Sequence, residues 1–62
     1  MKDKGKEYRN GWSTYMERLL PSGMYRVNVR NASGDIHDKV RCDDYQDARA
    51  YFRSFNAIAR NA

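Results

Sequence analysis

Residues 21–59 read PSGMYRVNVRNASGDIHDKVRCDDYQDARAYFRSFNAIA, and this stretch changes its hydrophobic period once. From Met24 to Arg30 the residues alternate: Tyr25, Val27 and Val29 fall on one side, and Met24, Arg26, Asn28 and Arg30 on the other. A period of two with β-branched residues predicts a strand with one apolar face. Asn31–Asp35 then supplies a turn in which Gly34 can adopt positive φ. Residues 36–42, IHDKVRC, resume the alternation, placing Ile36, Val40 and Cys42 toward the core and His37, Lys39 and Arg41 outward. Asp38 interrupts the apolar side, and an unpaired buried carboxylate is costly, so it is expected at an edge or beside a basic group.

After Asp43 and Asp44 the period becomes three and four. Tyr45, Ala48, Phe52, Phe55 and Ala59 make a core stripe, widened by Tyr51 and Ile58. Gln46, Arg49, Arg53, Asn56 and Arg60 make the polar stripe. The two aspartates suit an N-cap, and Asp47 adds negative charge in the first turn. A helix over about 44–60 follows. Residues 12–20, WSTYMERLL, admit two readings. Thr14 and Glu17 form a capping-box pattern that favours a helical turn. The Pro21-Ser22-Gly23 turn leading into the strand favours a hairpin, and hence a strand near 14–20, with Arg18 on its outer face. The expected fold is α+β, a three-stranded antiparallel sheet with one C-terminal helix on one face (βββα) over residues 12–62. An αββα arrangement is the alternative. Residues 1–11 lack periodicity and are expected to be a flexible basic arm, whose Lys2, Lys4 and Lys6 suit phosphate contacts.

Composition limits what such a fold can be. A chain of 62 residues holds one domain, and a domain this small is marginally stable. Burying four or five large side chains contributes roughly 1.5–3 kcal/mol each before entropy is subtracted. Cys42 is the single cysteine and His37 the single histidine, so neither an internal disulfide nor a structural zinc set is available. The opening residues have no apolar signal core, and no run reaches the roughly 20 apolar residues that span a bilayer. A soluble cytoplasmic protein is expected, monomeric or homodimeric, with no metal, cofactor or membrane partner. The net charge of +4, from 12 Lys and Arg against 8 Asp and Glu, favours a polyanion partner.

The sheet face left bare by the helix is expected to carry Arg18, Arg26, Asn28, Arg30, His37, Lys39 and Arg41. Arginine suits guanine edges and phosphates, asparagine suits adenine edges, and a strand ribbon can enter a major groove. No catalytic constellation is visible. His37 has no evident nucleophile or acid partner, and Cys42 suits a packed residue at a strand end. Asp43 and Asp44 suit a cap, and Ser22 and Ser33 lie in turns without a nucleophile-elbow context. The chain is therefore read as non-enzymatic. The alternative is a protein-interaction module, or a small inhibitor docking on a larger host protein through its aromatic helix face or its sheet.

The run RLLPSGMYRVNVR (residues 18–30), a glycine turn, a strand, and then Tyr45-x-x-Ala48-x-Ala50-Tyr51 resembles two related modules. One is the DNA-binding domain of plant ethylene-response factors. The other is the N-terminal arm-binding domain of tyrosine recombinases, the phage integrase family. The likeness covers about two thirds of the chain, and it implies a three-stranded sheet that reads DNA. Arg18 and Arg30 match family arginines. Leu20 stands where the plant domains carry another, Ser22 replaces a tryptophan, and Asn28 stands where an acid is usual. The missing first-strand arginines weaken the expectation of sequence-specific readout and leave backbone binding. No recombinase catalytic domain follows in this length. The resemblance therefore implies an accessory or regulatory protein of a phage or mobile element.

Overall fold

The computed structural model describes residues 3–62. In chain order the elements are β1 (Lys4–Glu7), β2 (Ser13–Arg18), β3 (Tyr25–Arg30), β4 (Ile36–Cys42) and α1 (Tyr45–Asn61). The strands form one antiparallel sheet in the order β1-β2-β3-β4, so each pairs with its chain neighbour and β1 and β4 are the edges. The helix packs across one face against β2, β3 and β4. The fold is α+β with a C-terminal helix, as expected, but it has four strands where three were expected. Because residues 13–18 are a strand, the αββα alternative does not hold.

The additional strand comes from the stretch expected to be a flexible arm. Its hairpin is made by Arg9-Asn10-Gly11: the Gly11 N–H donates to Tyr8 O at 3.0 Å, the Tyr8 N–H donates to Trp12 O at 2.9 Å, and Gly11 has φ 90°. This is a type I turn completed by a glycine in the left-handed region. Residues 31–35 repeat the design, with Gly34 N–H donating to Asn31 O at 2.9 Å and Gly34 at φ 88°. Two side chains then fasten the first hairpin to the helix. Asn10 Nδ2 donates to Ala59 O at 2.7 Å and Ala62 O at 3.3 Å at the end of the helix, where Ala59 O also accepts the Ala62 N–H at 3.4 Å. Tyr8 Oη donates to Asn56 Oδ1 at 2.8 Å. Lys2, the remaining arm lysine named above, lies outside the described residues.

The core lies between helix and sheet. Met16, Val27 and Val29 are fully buried, joined by Cys42, Ala48, Phe55 and Ala59. Ala48 and Ala59, with no exposure, let the helix backbone approach the strands. Tyr25, Val40, Tyr45 and Phe52 are half-buried around this centre. Asp44 caps the helix as expected, its side chain accepting the Gln46 N–H at 3.1 Å. Tyr51 and Ile58, expected to widen the core stripe, are exposed.

Two phases differ from the sequence reading. In β2, Thr14 stands opposite Val29 and Met16 opposite Val27, so these two point to the helix while Tyr15 and Glu17 point away. Thr14 looks polar in the sequence, yet its buried hydroxyl donates to Asn56 Oδ1, which removes the cost of burial. In β4 the pairing runs Val29 with Asp38 and then Arg30 with Ile36, so a bulge skips His37. One extra residue exchanges the faces of its neighbours. Ile36 therefore joins the open face, where it is 44% exposed. Asp38 lies on edge strand β4 and is exposed, as anticipated.

The β2 phase has a direct consequence for stability. Met16→Ala is expected to cost about 2–5 kcal/mol, and Tyr15→Ala much less. Urea unfolding of the two variants measures this, and the reverse order would place the wrong face of β2 on the core.

Candidate nucleic-acid interface

Strand register decides which side chains share the uncovered face. Three cross-strand rows run over it. Glu17 faces Arg26, which faces Arg41. Tyr15 faces Asn28, which faces Lys39. Ser13 faces Arg30, which faces Ile36. Gly5 and Glu7 of β1 extend the last two rows, opposite Tyr15 and Ser13. Tyr15 and Glu17 of β2, Arg26, Asn28 and Arg30 of β3, and Ile36, Lys39 and Arg41 of β4 line a shallow trough of about 540 Å³. Five of the seven residues expected there are brought together: Arg26, Asn28, Arg30, Lys39 and Arg41.

Arg18 and His37 are not. Arg18 stands opposite Tyr25 and so belongs to the helix side, because β2 has the opposite phase from the one expected. The bulge removes His37 from the alternation, and its ring meets Trp12 edge-on, with centroids 5.0 Å apart. Lys4 and Lys6 of the expected arm also go to the other side, since Lys4 faces Met16 and Lys6 faces Thr14. Sequence reasoning missed Tyr15, Glu17 and Ile36 on the open face. Reading Thr14 and Met16 as the inward pair would have placed the first two; nothing in the alternation of β4 marks the bulge.

The open face is not uniformly positive. Arg26 Nη2 and Nε both donate to Glu17 Oε2, at 2.6 and 3.1 Å. This half-exposed pair adds little stability. It does offset the like charges of Arg26 and Arg41, which the register sets directly opposite each other. Arg30 Nη1 donates to Gly34 O at 2.8 Å, which holds its guanidinium at the β3–β4 turn. Lys39 and Arg41, on edge strand β4, form no ion pair among the described residues. Tyr15 Oη donates to Asp3 Oδ2 at 3.2 Å, and this bond to a carboxylate raises the phenol above its ordinary pKa. The chemistry available is hydrogen-bond donation and positive charge on a wide surface, with one amide at its centre.

Cys42 lies under the helix, and burial, aided by the charges of Asp47, Asp43 and Asp44, pushes its thiol above the ordinary value. Among the described residues no three His, Cys, Asp or Glu side chains gather in an arrangement that could hold a metal ion. No described helix is long and apolar enough to cross a membrane. Comparison with protein-family models, with curated proteins and with solved structures finds no match.

Cys42 supplies a check on this geometry. Its thiol should react slowly with a disulfide reagent in the native protein and rapidly in denaturant. Because its folded pKa is raised, the unfolded chain ionises first, and stability should fall as pH rises through the thiol range. Rapid labelling in native buffer would contradict the burial of β4 against α1.

Proposed function

We propose that this chain is a small non-enzymatic DNA-binding protein that lays the open face of its sheet against a duplex. The observation that carries the reading is the set of three rows, which places Arg26, Arg30, Lys39 and Arg41 around Asn28 on a face that no element among the described residues covers. A sheet of this kind can lie in or along a major groove. Lys39 and Arg41, at the rim and without ion pairs, suit phosphates; Asn28, at the centre, suits an adenine edge. Glu17 holds Arg26 in place but opposes an approaching phosphate. The resemblance to ethylene-response and integrase-arm domains supports the same class of ligand. It suggests a cytoplasmic accessory or regulatory role in a phage or mobile element.

A second reading has its own observation. Tyr51 and Ile58 are seven residues apart on one flank of α1 and are 45% and 38% exposed. Such a flank suits docking on a larger host protein.

Titration of a labelled duplex at several salt concentrations separates the two. The log–log slope is expected near −0.9 per phosphate contacted. Lys39→Gln and Arg41→Gln should each weaken binding and reduce the slope by about one. Glu17→Gln should strengthen binding, because it removes a carboxylate from the face. Loss of binding on changing Tyr51 and Ile58, with indifference to the β4 cations, would favour the docking flank. Absence of duplex binding at low salt would defeat the DNA reading.

A further inference from the structure

The largest concentration of positive charge lies on the other side of the sheet. Lys4 and Lys6 project from β1 on the helix side, opposite Met16 and Thr14. Arg49, Arg53 and Arg60 follow one stripe of α1 and face them across a cleft of about 340 Å³. Asn56 lies on the same stripe. These six side chains line the cleft together with apolar Met16, Phe52 and Ala57, and no carboxylate among the described residues lines it. The acids lie elsewhere: Asp3 accepts from Tyr15 Oη and the Arg18 N–H, Glu7 and Glu17 are on the open-face side, Asp35 and Asp38 around the β3–β4 turn, and Asp43, Asp44 and Asp47 at the start of the helix.

Five cations gathered without a countercharge repel one another, and a marginal domain does not gain stability from the arrangement. Their contacts orient them without neutralising them. Lys4 Nζ donates to Tyr45 Oη at 3.4 Å, and the Arg49 guanidinium lies 5.9 Å from the centre of the same ring. Asn56 Oδ1 already accepts from Thr14 and Tyr8, so its Nδ2 hydrogens remain available at the cleft. Arg49 to Arg60 spans about 16 Å along the helix at 1.5 Å per residue. A row of guanidiniums and ammoniums of that length, with an amide donor among them, matches successive phosphates of one strand.

We propose that the cleft between β1 and α1 holds the phosphate backbone of a second nucleic-acid segment, so that one molecule bridges two segments. The choice of nucleic acid as ligand, and the bridging, rest on the open-face reading above. The two surfaces lie on opposite sides of a domain 18 Å thick, so a straight duplex on one does not reach the other. The cleft therefore adds a site without enlarging the first.

The test is a capture assay. One duplex is fixed to beads, protein is added, and retention of a labelled second duplex is measured. The unaltered protein should retain it. Arg49→Gln with Arg53→Gln should still bind the bead-bound duplex, melt like the parent, and reduce retention of the second to background. Lys4→Gln with Lys6→Gln, which alters the opposite wall, should do the same. Arg30→Gln with Arg41→Gln should also lose bridging while keeping one duplex in the cleft. Retention undiminished by both cleft pairs would overturn the proposal, including the case of a dimer joining duplexes through its sheets. Binding of the first duplex without capture of a second by the unaltered protein would overturn it too, and would leave the open-face reading intact. Undiminished bridging by the Arg30 and Arg41 variant would defeat the open-face reading instead.

Discussion

The side-chain oxygen of Asn56 accepts two hydroxyls, from Thr14 in β2 and from Tyr8 just after β1, and this junction sets the rest of the molecule. Thr14 is the buried polar residue of the described chain, at 3% exposure. A hydroxyl buried there without a partner would cost about 1–3 kcal/mol, so the helix must present Asn56 where β2 presents Thr14. Once that is met, Met16 turns inward beside Thr14, and Tyr15 and Glu17 turn to the open face. The roll of the helix is fixed by the same contact. Ala48, Phe55 and Ala59 meet the sheet, Arg49, Arg53 and Arg60 lean toward β1, and Tyr51 and Ile58 stay on solvent.

The first hairpin shows how a stretch without an apolar pattern can still be structural. The segment KGKE in β1 buries none of its side chains. It is held by pairing with β2 and by the two ties beyond it, Tyr8 to Asn56 and Asn10 to the end of the helix. A short, lysine-bearing edge strand also resists pairing with another chain. Charge follows from the same placement, because a strand that directs Lys4 and Lys6 beside the helix gives the protein a second basic surface.

Much of this was legible in the sequence, and the gaps have physical causes. The alternation of β3, the Asp44 cap and the glycine turns could be read directly, since each is set by neighbouring residues. β1 could not be found by alternation, although Asn10-Gly11 carried the turn signal that places it. The phase of β2 was read in the opposite sense because Thr14 counts as polar until its partner, 42 positions away, is known. The bulge at His37 left no mark, and one skipped residue sufficed to put Ile36 on the open face and His37 against Trp12. Five of the seven expected interface residues therefore came together. The two that did not, Arg18 and His37, were displaced by these two phase changes and not by any error in residue chemistry.

One junction thus holds a four-stranded sheet and a helix so that basic groups line two opposite surfaces. Backbone amide shifts during titration with a short duplex examine this arrangement residue by residue. Two-surface binding predicts perturbations in two separate sets, one over residues 26–30 and 39–41 and one at residues 4–6 with Arg49, Arg53, Asn56 and Arg60 along the cleft. Amides near Tyr51 and Ile58 should move least within the helix. Perturbations confined to the Tyr51 and Ile58 flank, or no shifts at low salt, would contradict it.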